Sequence, residues 1–159
     1  MNTTPNPSVP DFWGRAYTSE GITVYYNKRR CIHFAACVRG LPEVFDPEQR
    51  PWIQPNQADA DAVAEVVRRC PTGALHYVLQ AGPPEQPEPT TIDVRANGPN
   101  FLRGDLTIAA PESADPAGTV RDTRAALCRC GQSGNKPFCD GTHREVGFQA
   151  PGGEKLNDA

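Results

Sequence analysis

CRCGQSGNKPFCDGTH, residues 128–143, places four soft or borderline metal ligands within sixteen positions. Cys128 and Cys130 are separated by one residue, Cys139 follows after eight more, and His143 after a further three. A C-x-C pair can put two thiolates on one metal, and a C-x3-H pair, about one helical turn apart, can aim a sulfur and an imidazole at a second metal nearby. That arrangement suits a two-iron cluster. On spacing alone, a tetrahedral structural zinc on three cysteines and one histidine suits equally well. Asp140 is placed to cap a short helix carrying His143, and Gly141 lets backbone amides approach and donate to sulfur.

The segment resembles the CDGSH iron-sulfur family, whose pattern C-x-C-x2-[ST]-x3-P-x-C-D-G-[STA]-H is met at every fixed position, with Ser133 and Pro137 in the intermediate slots. The complete match favours iron-sulfur over zinc, because a zinc knuckle does not require Ser133, Pro137, Asp140 and Gly141. The likeness extends upstream through IDVRANGPNFLRGDLTI and TRAALCRCG and downstream to Phe148. By that resemblance, Cys128, Cys130, Cys139 and His143 hold a [2Fe-2S] cluster. Members of the family serve in electron transfer, redox sensing or cluster delivery, and several work as homodimers. A neutral imidazole in place of a thiolate leaves such a cluster less negative and easier to reduce. Acid should loosen the site, since a proton on His143 removes the lone pair that binds iron.

Upstream of this region, AGPPEQPEPTT (residues 81–91) carries four prolines and no large apolar residue, which predicts an extended linker between two modules. Before it, ITVYY (Ile22 to Tyr26) and LHYVL (Leu75 to Leu79) read as strands. Between them, Asn56 and Asp59 resemble a capping pair ahead of Ala58, Ala62, Val63, Val66 and Val67, an apolar stripe predicting a helix that ends near Arg69. That helix delivers Cys70. After the linker, Ile92 to Arg95, Leu106 to Ala109 and Arg124 to Leu127 are short strand candidates separated by Asn97-Gly98-Pro99 and Arg103-Gly104-Asp105 turns.

Cys31 and Cys37 are separated by five residues, and Cys70 opens Cys-Pro-Thr-Gly-Ala-Leu. Bacterial ferredoxins use C-x2-C-x2-C and a distant C-P, but here Phe34 fills the middle slot and cannot bind iron. The stretch from 22 to 79 is similar to the divergent single-cluster ferredoxin-like family. Three thiolates suit a [3Fe-4S] cluster, or a [4Fe-4S] cluster whose fourth iron takes water, an outside ligand or His33. His33 is either that ligand or a polar neighbour tuning the site, and ordinary buried thiols are the bland alternative for Cys31, Cys37 and Cys70. His76 reads as a half-buried strand residue, and Trp52 as core or a lid over the cluster loop. Arg29, Arg30, Arg68 and Arg69, with Lys28, could offset cluster charge or dock an acidic partner, but a solvated surface is the preferred reading.

Composition bounds the rest. Gly and Pro number 14 and 17 of 159 residues, and only 38% of residues are hydrophobic, so the core must be thin and metal staples are expected to hold the loops. The fold class expected is α+β: an N-terminal ferredoxin-like half with two strands and one helix, and a small antiparallel β module after the linker. The modules run from 21 to 80 and from 92 to 150, with a loose arm over 1–20, in which Phe12 and Trp13 could dock, and a tail over 151–159. A net charge of −3 gives no basic field for nucleic acid or an anionic membrane. No apolar stretch approaches a membrane span, and the start lacks a secretory signal, which predicts a cytoplasmic chain with reduced cysteines. Nucleophile-elbow, P-loop and dinucleotide fingerprints are missing, so an electron carrier is expected rather than an autonomous enzyme. The partner expected is a redox protein, or an apo iron-sulfur acceptor if the chain stores and delivers clusters. A zinc-stabilised interaction module is the third reading.

Overall fold

A computed structural model describes residues 9–111 and 118–153 of the chain. In order, the elements are β1 (Arg15–Thr18), β2 (Ile22–Tyr26), α1 (Ala36–Gly40), α2 (Ala60–Arg68), β3 (Leu75–Leu79), β4 (Thr91–Val94), β5 (Asn100–Ala109), β6 (Thr119–Leu127) and α3 (Thr142–Glu145). They make two antiparallel three-stranded sheets, ordered β1-β2-β3 and β4-β5-β6, in an α+β architecture. Among the described residues no helix is long and apolar enough to cross a membrane. By their contacts the residues form two units. Among the described residues, one takes 9–28, 35–70 and 74–85; the other takes 29–34, 71–73, 86–111 and 118–153.

In the first unit, β-branched and aromatic residues of β2 and β3 alternate into one apolar core, where Ile22, Val24, Leu75 and Tyr77 meet Val63, Val66 and Val67 of α2. Phe45 and Ile53 form an isolated antiparallel bridge, and both are fully buried in that core. The expected two strands and one helix are joined by a third strand and the short helix α1. β1 lies in the stretch read as a loose arm; it pairs with β2 along its length, and its Tyr17 is buried. Trp13 docks as expected, stacked 4.3 Å from the His76 ring. His76 is not half-buried but 1% exposed, and its Nδ1 lies 2.8 Å from Glu85 Oε2. Asp59 occupies the N-cap position of α2, yet its side chain makes no capping hydrogen bond there.

The second unit also departs from the sequence reading. Arg103-Gly104-Asp105 is not a turn between strands but a bulge within β5, with the register shifting between Arg103 and Leu106. Gly104 has φ of 143°, and a Cβ there would meet Thr90 Oγ1 at 2.6 Å, so only glycine suits the position. β6 starts at Thr119 rather than Arg124 because its inward residues are Val120, Asp122 and Arg124; two charges interrupt the apolar alternation. Arg30 offsets the charge of Asp122. It is 2% exposed instead of solvated, its Nη1 donates to Asp122 Oδ2 at 2.5 Å, and its Nη2 donates to the Arg124 carbonyl at 3.0 Å. A smaller apolar cluster gathers Ile32, Phe101, Ala126 and Cys139, with Phe34 packed against it.

Candidate metal centre

β6 hands the chain directly to the first ligand. Leu127 and Phe138 form an antiparallel bridge, the Cys128 amide donates to the Pro137 carbonyl at 2.8 Å, and the Cys139 amide donates to the Ala126 carbonyl at 2.8 Å. These bonds straddle the bridge, so pleat alternation puts Cys128 and Cys139 on one face. The loop between them is tied internally. Ser133 Oγ donates to the Phe138 carbonyl at 2.6 Å and accepts from the Asn135 amide at 3.0 Å. Both Asp140 carboxylate oxygens are used, one accepting from the Gly134 amide at 2.8 Å and the other from the Thr142 amide at 3.0 Å. The second bond reaches Thr142, the first residue of α3, from one position before the N-cap, which is Gly141 rather than the expected Asp140; α3 carries His143 back toward Cys139.

The four donors come together as two pairs. Cys128 and Cys130 sulfurs are 3.9 Å apart, and Cys139 Sγ lies 3.4 Å from His143 Nδ1. Among the described residues, no group of three or more His, Cys, Asp or Glu side chains closes on a single metal position. Backbone amides point at two of the cysteine sulfurs: Gln132 donates to Cys130 Sγ at 3.4 Å, and Gly141 to Cys139 Sγ at 3.4 Å. Gly141, at φ of 91°, holds the left-handed turn between Cys139 and α3. Such donors offset negative charge on thiolate and sulfide.

The electrostatics differ between the pairs. Burial pushes the Cys128 thiol up, but hydrogen bonds from the Ser133 and Gly131 backbone, the Cys130 side chain and the Gln132 backbone outweigh it and hold the thiol below its ordinary value. At Cys139 burial prevails over the Gly141 amide, helped by the nearby charges of Cys128, Asp140 and Cys130, and the thiol is pushed up. Burial, and then the Arg144 charge, lower the proton affinity of His143 against an opposing pull from Asp140. The imidazole is thereby held neutral, the form that ligates metal.

The N-terminal cysteines have different surroundings. Cys37, on α1, and Cys70, just after α2, are half-buried and pack against the core of the first unit. Cys31 is half-buried and belongs with the second unit, as does His33, whose side chain is exposed. His33 and Ala35 both have left-handed backbones, at φ of 57° and 67°, on either side of Phe34. None of the six cysteines is in a disulfide. Sequence reasoning missed Asp122 and Arg144 as supports of this region and preferred a solvated surface for Arg30, which is buried. Arg30 and Asp122 are 92 residues apart, and Arg144 Nη1 reaches the Ile32 carbonyl across 112 residues at 2.6 Å, so no local pattern signals either contact.

Thin cores and sulfur-rich donor loops define a class: small modules held around soft metal centres. Comparison with known proteins gives that class its name. The family model described as divergent 4Fe-4S mono-cluster matches residues 17–80, and the one described as iron-binding zinc finger, CDGSH type, matches residues 97–144. The uncharacterized protein YjdI of Escherichia coli strain K12 is 44% identical over 63 residues, which is 40% of this chain and 83% of YjdI. YjdI of Escherichia coli O157:H7 matches to the same extent. The chain belongs to the divergent 4Fe-4S mono-cluster family, here fused to a CDGSH segment, and it is an iron-sulfur cluster protein.

Proposed function

We propose that the chain is an electron-transfer or redox-sensing protein. In this reading Cys128, Cys130, Cys139 and His143 hold a [2Fe-2S] cluster, and Cys31, Cys37 and Cys70 supply three thiolates to a [3Fe-4S] or [4Fe-4S] cluster. The division of the C-terminal donors into two pairs carries the first assignment. A two-iron cluster takes two protein ligands at each iron, whereas tetrahedral zinc draws four donors to one point. The second assignment is supported by the C-P pair at Cys70 and by the matched segment, 17–80, which contains all three cysteines.

Bound in these sites, clusters supply one-electron chemistry. The chain's own contribution is ligation, amide donation to sulfur by Gln132 and Gly141, and a neutral imidazole that makes reduction easier than four thiolates would. The partner in this reading is a redox protein in the cytoplasm, and the CDGSH resemblance implies a homodimer. Anaerobic purification followed by iron and sulfide counting tests it. About five irons per chain fit [2Fe-2S] with [3Fe-4S], and about six fit [2Fe-2S] with [4Fe-4S]. About two irons would leave the N-terminal thiols empty, and zinc without acid-labile sulfide would overturn the reading altogether. Transfer of the cluster to an apo-ferredoxin without net electron exchange would assign storage and delivery instead.

A further inference from the structure

Cys31 is held by the C-terminal ligand loop. Asn135 Nδ2 donates to the carbonyl of Arg29 at 3.2 Å, and Arg144 Nη1 donates to the carbonyl of Ile32 at 2.6 Å, so the backbone on both sides of Cys31 is anchored. Between them, the Arg30 guanidinium lies 4.4 Å from the Phe138 ring centroid while paired to Asp122. Ile32 packs in the same apolar cluster as Cys139, and Phe34 meets Phe101 of that cluster edge-on, with centroids 5.6 Å apart. Phe34 is the residue at the position where a ferredoxin pattern calls for a middle cysteine. What replaces the missing ligand is therefore an anchor into the core around Cys139.

The anchors are themselves placed by the metal ligands. Arg144 follows His143 on α3, Phe138 precedes Cys139, and Asn135 is fastened to Ser133 within the loop. A metal that fixes Cys139 and His143 also fixes the groups that grip residues 29–32. Losing that metal frees α3 and the loop, and the grip on the Cys31 segment with them.

We propose that Asn135, Phe138 and Arg144 are positioning residues through which metal loading at Cys128, Cys130, Cys139 and His143 controls the accessibility of the Cys31 thiol. The proposal rests on the reading that those four residues bind metal.

The test uses the full chain carrying Cys37→Ser and Cys70→Ser, which leaves Cys31 as the only N-terminal thiol. Its alkylation by iodoacetamide is followed by peptide mass mapping in metal-loaded and chelator-stripped protein. Loading is expected to slow modification of Cys31 by about tenfold or more, within the usual range of coupling between sites. In Arg144→Ala, and further in Arg144→Ala with Phe34→Ala, each compared at equal metal content, the loaded rate should rise toward the stripped rate. Arg144→Lys, which keeps a donor, should restore part of the protection. Equal rates with and without metal, or a difference unchanged in the double variant, would overturn the proposal. Sulfide counted on the same samples reports separately whether the metal is an iron-sulfur cluster or zinc, and the coupling is decided either way.

Discussion

The two cysteine groups of this chain reach their positions by different physics. From Cys128 to His143 the ligand loop is folded by its own short-range bonds: Ser133 to Phe138, Asp140 to Gly134 and Thr142, and amides aimed at Cys130 and Cys139. Cys37 and Cys70 instead rest against an apolar core assembled from distant strands and helices, and Cys31 follows a different unit from theirs. A contiguous loop carries both its donor side chains and the groups that orient them. Dispersed cysteines depend on tertiary structure for their placement.

The sharpest way to break this contrast is to remove a ligand. Cys139→Ser should abolish the C-terminal cluster outright, with about two irons lost per chain, because one iron is left with a single protein ligand. An unchanged iron count in that variant would show that the two donor pairs do not share a cluster.

Acidification should have an effect nearly as complete. His143 has a lowered proton affinity, so its bond to metal is fully available above the ordinary histidine value of about 6.5 and is lost as pH falls through the depressed value. Visible absorption bands should therefore decay on the acid side of neutrality and follow a different profile in His143→Cys. Matching profiles in the two proteins would remove histidine from the explanation.

Tertiary support is tested next. Arg30→Ala leaves Asp122 buried beside an empty space and should cost about 3–5 kcal/mol in denaturant titration. Arg69→Ala removes an exposed pair with Glu65 on α2 and should cost no more than about 0.5 kcal/mol. Comparable losses in these two variants would mean that burial does not govern the contribution of either pair. Local support comes last. Asp140→Ala deletes the acceptor for Gly134 and Thr142 and should destabilise the loop by about 1 kcal/mol, seen as faster iron release to a chelator. Release as slow as in the wild-type protein would show that the loop does not need this clasp.

Legibility in the sequence follows the same divide. The C-terminal ligands could be read because sixteen consecutive residues contain both the donors and the groups that orient them. β2, β3 and α2 were legible from β-branched alternation and a helical apolar stripe. β1 was not, since its four residues follow a proline-rich stretch and bury Tyr17 only by pairing with β2. The first half of β6 was hidden by Asp122, which reads as surface until Arg30 is placed beside it. His76 was underestimated for a related reason, as its burial depends on Trp13 on one side and Glu85 on the other. Charged and polar residues buried by distant partners are invisible to periodicity, which registers only apolar spacing.

Pulsed electron paramagnetic resonance of the reduced protein, grown with 15N-labelled histidine, addresses the ligand set most directly. A signal from a two-iron centre with a nitrogen coupling that is present in the wild-type chain and lost in His143→Cys is the expected result. A centre with no histidine nitrogen coupling, or a colourless zinc protein with no signal, would contradict the assignment of Cys128, Cys130, Cys139 and His143 to one cluster.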